Sequence, residues 1–286
     1  MKRIFTSFRY SLYRLRWQIL GWGLGIASLG LIIVPFYDVF MTQQSDFMQM
    51  IENYPPEFLA FFGGDSFDLV TPEGFLGMYG FSLLPLIIGF FAILAGSGML
   101  AVDEERGRLD LILAHPVGRT ALFFGRLLGL LGATIGILLI GWLGFSALLG
   151  TSSIPITWGQ MLLPFLPLFG QAVVYAALAL LLSQLLPNRG LAATLAGLVM
   201  VAGYVLDSLA NLNESLAALA RLLPYAYYQG SEAFYELNLL WLGGLLLAGL
   251  VMALLAWLRF RARDVRLSGE GSLRLPRLRR RKPQTA

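Results

Sequence analysis

Cysteine is absent from this chain of 286 residues, and histidine occurs only once, as His115. Without cysteine the protein forms no disulfide and no thiolate metal site, and it has no cysteine nucleophile. The single histidine lies outside the long apolar segments, so neither a Ser–His dyad nor a histidine metal site is expected within a membrane. The sequence therefore predicts no catalytic residue and no metal ligand.

Lysine is almost as scarce, since Lys2 and Lys282 are the only two. The dipeptide Gly-Lys consequently never occurs, and a P-loop needs it to hold the phosphates of a nucleotide. We expect that this chain does not hydrolyse ATP unaided and is not an enzyme.

Charged residues make up only 13% of the chain, against 57% hydrophobic residues. A soluble domain of this composition could not cover its surface with polar groups, which indicates a bilayer as the solvent. The net charge of +4 comes from basic residues that flank apolar segments, where they face anionic lipid head groups. We therefore predict an all-α, polytopic membrane protein that contacts lipid and binds no nucleic acid.

The apolar runs are long enough to count the spans, because a helix needs about 20 apolar residues to cross the hydrocarbon. A transmembrane domain is predicted over residues 1–258, with six helices at about 17–37, 78–100, 127–149, 161–186, 191–206 and 237–258. If these spans alternate, every Lys and Arg except Arg221 falls on one side. The positive-inside rule makes that side the cytoplasm and places both termini there. The remainder, 259–286, is predicted to be a basic cytoplasmic tail that anchors to lipid and ends in disorder.

The spans themselves offer little chemistry for a transporter that works alone. Ion-coupled carriers usually keep ionisable side chains near the bilayer midplane, and the central part of each predicted span lacks them. Glycines recur three or four apart, as in Gly125, Gly129, Gly132 and Gly136, and small residues four apart let helices approach closely. We expect these glycines to pack helices within the chain rather than between two chains.

The loop between spans two and three, residues 103–119, has the most distinctive sequence. It contains a charged cluster, a glycine, a short apolar turn and a proline. Leu109, Ile112 and Leu113 share one helical face, and Pro116 ends the turn. The pattern predicts a short helix along the membrane surface.

This loop resembles the cytoplasmic loop of permeases of type-two class ABC exporters, in which Glu-x-Gly-Thr-Leu-Glu-x-Leu-Leu precedes Pro-Val-Ser-Arg and a Lys. Here the loop reads Glu-Arg-Gly-Arg-Leu-Asp-Leu-Ile-Leu and then Pro-Val-Gly-Arg, with Arg108, Gly118 and Arg126 in place of Thr, Ser and Lys. Two outer segments also resemble that family: Tyr-Pro-Pro-Glu-Phe-Leu at 54–59, and the Pro-aromatic sequence at 224–228.

The resemblance implies a half-transporter, in which two copies, or one copy and a second permease chain, form the pore. A separate ABC ATPase, which binds ATP and Mg²⁺, would dock on each permease. The loop helix at 109–114 would then be the coupling helix that transmits closure of the ATPase dimer. The implied coupling residues are Glu104, Glu105, Arg106, Gly107, Arg108, Leu109, Ile112, Leu113, Pro116 and Arg119.

We therefore expect the transmembrane subunit of an ATP-driven exporter in a prokaryotic plasma membrane. A carrier or channel that works alone, coupled to ions, is the alternative, and flux through liposomes that contain only this chain would distinguish it. An intramembrane enzyme would require turnover by the isolated chain, and a scaffold without transport activity also stays open.

Overall fold

The computed structural model describes residues 2–43, 71–114, 118–211 and 213–262. In chain order its α-helices are α1 (Lys2–Thr42), α2 (Pro72–Phe75), α3 (Leu84–Glu105), α4 (Leu109–Ala114), α5 (Arg119–Ser146), α6 (Trp158–Leu162), α7 (Phe165–Leu185), α8 (Arg189–Ala210), α9 (Glu214–Ala220) and α10 (Leu239–Ala262). A π-helix (Leu76–Phe81) joins α2 to α3, and short 3₁₀ turns occupy Leu149–Thr151, Pro224–Tyr227 and Gly230–Phe234. The described part of the chain contains no strand.

Six helical segments are long and apolar enough to cross a membrane: Arg3–Thr42, Pro72–Glu105, Arg119–Thr151, Trp158–Leu185, Arg189–Ala210 and Leu239–Ala262. The all-α prediction with six transmembrane helices is confirmed. Each span predicted from run length overlaps one of these segments. The outer motif at 54–59 and the tail from residue 263 onward lie outside the described residues.

The first helix is longer than the predicted first span, because it begins at Lys2 and includes the basic stretch before residue 17. Its 41 residues correspond to about 60 Å at 1.5 Å per residue. The hydrocarbon core is about 30 Å thick, so α1 extends well beyond it. Arg and Lys are good helix formers, which explains why the helix continues where the apolar run stops.

Glycines bring α1 and α5 into close contact along much of their length. A Cβ added at Gly125 would lie 2.3 Å from Cβ of Ser7, and one at Gly144 would lie 2.3 Å from Cα of Ala27. No larger residue fits at either position without a shift of the neighbouring helix. The packing within the chain predicted for Gly125, Gly129, Gly132 and Gly136 is confirmed, because an added Cβ at each would meet α1 within 3.3 Å. An added Cβ at Gly21 meets nothing within 4 Å.

The other long helices, α3, α7, α8 and α10, form a second group. The centre of this group is the contact of α3 with α7, where a Cβ on Gly96 would lie 2.3 Å from the carbonyl oxygen of Ala176. On its other side α7 packs against α10, where Gly249 faces Val173. Close approach of backbones at small residues is thus the common device of both groups.

The two groups meet at one end through aromatic rings. The ring of Phe81 lies 5.2 Å from that of Phe145 in α5, 5.4 Å from that of Phe165 in α7 and 5.6 Å from that of Phe234, measured between centroids. The pairs with Phe165 and Phe234 are edge to face, the geometry that the ring quadrupole favours.

At the same end of the bundle, two tyrosine hydroxyls donate hydrogen bonds to backbone carbonyls just before α3. Pro85 has no N–H to donate to the carbonyl of Phe81, which would be its partner in a continuous helix. The hydroxyl of Tyr228 donates to that carbonyl (3.1 Å), and the hydroxyl of Tyr225 donates to the carbonyl of Ser82 (3.1 Å). The tyrosines of the Pro-aromatic sequence at 224–228 thus provide donors for two carbonyls that could not hydrogen-bond to water inside a membrane.

Candidate functional site

The end of the bundle opposite the aromatic cluster carries the described part of the loop, residues 103–114 and 118–119, and the loop starts at the tight turn that ends α3. Gly107 has φ of 63°, in the left-handed region that glycine adopts without strain. Its N–H donates to the carbonyl of Glu104 (2.9 Å), and the N–H of Arg108 donates to the carbonyl of Asp103 (2.8 Å). This pair of bonds is the Schellman motif, which satisfies carbonyls at the end of α3 and reverses the chain into α4.

Helix α4 turns one face to the bundle and another away from it. Leu109 is 1% exposed and belongs to the core, and Ile112 and Leu113 pack against that core while partly exposed. The face predicted from the sequence is therefore the buried one. Leu111 is 67% exposed, and its neighbour Asp110 is exposed as well. The outer side of α4 thus presents an apolar and an acidic side chain.

A buried carboxylate, Asp103, connects this turn to three long helices. Its Oδ2 lies 2.9 Å from Nη1 of Arg14 in α1 and 2.7 Å from Nη2 of Arg126 in α5. Its Oδ1 lies 2.7 Å from Nη2 of Arg108, at the start of α4. One side chain of α3 therefore holds α1, α5 and the turn into α4 together.

The environment of Asp103 makes this cluster energetically sensitive. The side chains of Asp103 and Arg126 are each 4% exposed, whereas those of Arg14 and Arg108 are 35% and 48% exposed. The second terminal nitrogen of Arg126 donates to the carbonyl of Met99 (2.7 Å), so its charge is buried with partners on two sides. A buried charge of this kind is tolerated only while it stays paired.

The other predicted coupling residues differ in how far their side chains are exposed. Glu104 is 6% exposed, in the last turn of α3. Glu105 is exposed, and its Oε1 accepts from the backbone N–H of Arg189 at the start of α8 (3.2 Å). Arg106 is exposed and caps α3, and Arg119 reaches the carbonyls of the last turn of α10 with its Nη1 (3.4 Å). Pro116 lies outside the described residues.

Sequence reasoning missed Asp103 and Arg14, and it gave Arg126 only the role of a substituted lysine. A signal for the cluster does exist: Arg126 follows the apolar residues of the first turns of α5, where an arginine needs a carboxylate. Asp103 is the first charged residue after the apolar run of α3, at the same end of its span. Equal depth in neighbouring spans would have made the two residues candidates for a pair.

Comparison with known proteins gives one family. A family model described as "ABC-2 family transporter protein" matches residues 20–265, which include all of the long helices except the start of α1. None of the curated proteins compared with this chain matches it.

Proposed function

The chain belongs to the ABC-2 family of transporter proteins, and from this premise we propose that it is the membrane subunit of an ATP-driven exporter. On this proposal a separate ABC ATPase supplies the energy, since the chain has no Gly-Lys for a P-loop of its own. ATP and Mg²⁺ bind to that partner. The observation that carries the proposal is the family match over 20–265, together with a short helix that follows the second long span.

The geometry around α4 suits a coupling helix. Its exposed Leu111 and Asp110 would contact the ATPase, and its buried Leu109 would transmit the movement to the bundle. Arg108 links α4 to Asp103, and through it to α1 and α5. A displacement of α4 would thus act on three long helices at one point. Because Glu104 is buried, Glu105 and Arg106 are the better candidates for charged contacts with the ATPase.

We further propose that α4 lies in the cytoplasm, where ATP is available, and that both ends of the chain lie on the same side. The positive-inside rule supports this orientation, since Arg221 alone of the basic residues falls on the other side. A second permease chain, identical or related, would complete the pore. A prokaryotic plasma membrane is the proposed location.

The first experiment identifies the partner. The tagged chain is purified from its native membrane, and co-purifying chains are searched for one with both a P-loop and an ABC signature loop. The complex is then tested for Mg²⁺-dependent ATP hydrolysis. If no such ATPase accompanies the chain and the chain alone supports substrate flux in liposomes, the exporter proposal is wrong.

The second experiment tests the role of α4. Leu111→Glu charges an exposed residue and leaves the buried face of the helix intact. Loss of a central contact costs about 2 kcal/mol or more of association free energy, which corresponds to about thirtyfold weaker binding of the ATPase. Leu222→Glu is the matched control, because Leu222 is 76% exposed and lies at the opposite end of the bundle. Equal binding by both variants would contradict the assignment of α4.

A carrier that works alone has less support from the structure. Among the described residues, the buried charged side chains are Asp103, Glu104 and Arg126, and all three lie near the α4 end of the bundle. Ion-coupled carriers usually keep an ionisable group close to the midplane, where none of these three residues lies.

A further inference from the structure

A cavity with arginines in its wall opens between α1, α3, α5 and the start of α8, at the same end as α4. Its volume is about 270 Å³, and Arg14, Arg106, Arg126 and Arg189 line it. These residues come from four separate elements of the fold, so the basic wall exists only in the folded chain. The rest of the wall is largely apolar and includes Leu94 of α3, which is half exposed.

The N–H donors of the arginines that line this cavity are only partly paired with acceptors within the protein. Arg14 and Arg126 share the carboxylate of Asp103, while the side chains of Arg106 and Arg189 form no ion pair with any residue in the described ranges. A guanidinium has five N–H donors in a planar fork and does not lose its proton in proteins. The cavity therefore offers several charged N–H donors, which indicates that its ligand is an anion.

The carboxylates nearby do not cancel this charge. Asp103 and Glu104 are buried at the end of α3, and Glu105 accepts from the backbone of Arg189. Four arginines line the cavity against these three carboxylates, none of which lines it. An excess of positive charge therefore remains around the cavity, in a region partly shielded from water, where it interacts more strongly than on an open surface.

We propose that this cavity binds an anionic phosphate group, carried by a membrane phospholipid or free in solution. Arginine forks match phosphate oxygens two at a time, and basic pockets between transmembrane helices hold lipid head groups. The volume is below the roughly 300–1,000 Å³ of sites for drug-sized ligands, which suits a head group whose acyl chains remain outside. Leu94, on the wall and half exposed, provides an apolar surface for such a chain.

Three ligands distinguish the sources of the phosphate. Binding of phosphatidylglycerol, phosphatidylcholine and inorganic phosphate to the purified full-length chain in detergent is measured by native mass spectrometry and by microscale thermophoresis. Phosphatidylcholine has the same phosphodiester with a compensating cation, so the excess charge should favour phosphatidylglycerol about tenfold or more. If phosphatidylglycerol binds more tightly than phosphatidylcholine, competition by inorganic phosphate would show that the site accepts free phosphate, and failure to compete would identify the lipid as the ligand. Equal binding of the two lipids, without binding of phosphate, overturns the proposal.

Two variants locate the site. Arg106→Gln with Arg189→Gln removes the two guanidinium groups that have no ion pair, and should weaken phosphatidylglycerol binding about tenfold or more. Gly98→Leu keeps the charge but fills the cavity, because a Cβ at Gly98 already lies 3.4 Å from Nη1 of Arg189.

The matched control is Arg259→Gln with Arg261→Gln, which removes two exposed charges from α10 outside the cavity and should change binding less than about twofold. Thermal melting of each variant reports whether it folds. If the Arg106 and Arg189 variant and the filled cavity both bind phosphatidylglycerol as tightly as the control does, the site is not the one proposed.

Discussion

Removal of the charge of Asp103 should destabilise the protein far more than an ordinary substitution at a helix end. Asp103→Asn keeps the shape of the side chain and one acceptor oxygen, but it leaves the buried guanidinium of Arg126 with neutral partners only, the amide and the carbonyl of Met99. An uncompensated charge of this kind costs about 3–5 kcal/mol. Arg14 and Arg108 lose the same partner, but their side chains are 35% and 48% exposed, so each contributes only about 0.2–1 kcal/mol.

Most of the stability lost in Asp103→Asn is therefore attributed to Arg126. Two further variants test that assignment. Asp103→Asn combined with Arg126→Met removes both buried charges, and replacement of a buried pair by uncharged groups is often nearly neutral. We expect the double variant to be more stable than Asp103→Asn alone. Arg14→Gln leaves the buried pair in place and should cost less than about 1 kcal/mol.

The assay is equilibrium unfolding in mixed micelles, with the fluorescence of the six tryptophans as the signal. Free energies of unfolding are compared for the wild type and the three variants. The reasoning is refuted if Asp103→Asn lies within about 0.5 kcal/mol of the wild type, the range of an ordinary surface substitution. It is also refuted if Arg126→Met does not offset any of the loss.

Three other outcomes follow from the fold. Gly144→Ala should lower the free energy of unfolding by about 1–3 kcal/mol because it overfills the contact of α1 with α5. The control is Gly21→Ala, where the added Cβ meets nothing and which should raise the free energy of unfolding by up to about 1 kcal/mol. Equal effects of the two variants in the same unfolding assay would contradict the glycine contact. Tyr228→Phe should cost about 1–3 kcal/mol because a carbonyl freed by a proline is left without a donor, and an unchanged melting curve would count against this role. Because the natural chain lacks cysteine, Leu111→Cys and Leu222→Cys can each be labelled singly in intact cells; a membrane-impermeant maleimide should label only the second, and the reverse pattern would invert the proposed orientation.

The six spans could be predicted from the sequence because the bilayer imposes a length on each helix separately. A run of about 20 apolar residues is visible without knowledge of any neighbour. The buried face of α4 was predictable for the same reason, since Leu109, Ile112 and Leu113 follow the helical period. The extension of α1 back to Lys2 was missed, because a count of uncharged residues stops at the first arginine while the helix does not.

The Asp103 cluster depends on which helices are neighbours, and no local pattern shows that. Arg14 lies 89 positions from Asp103 along the chain, yet the two side chains are in contact. The role of Tyr228 depends just as much on distant parts of the chain, because it requires the helix interruption before Pro85 and a loop that returns to it. Properties of one helix were thus accessible from the sequence, while properties of pairs of helices needed the fold.

The position of Asp103 in the chain also has a consequence for how the protein is made. Synthesis starts at the N-terminus, so α1 and α3 enter the membrane before α5. Asp103 can pair with Arg14 and Arg108 as soon as the second span is in place. Arg126 then arrives with the next helix and finds a carboxylate already held at its depth. A buried arginine of α5 thus has a counter-charge supplied by a helix that precedes it in the chain.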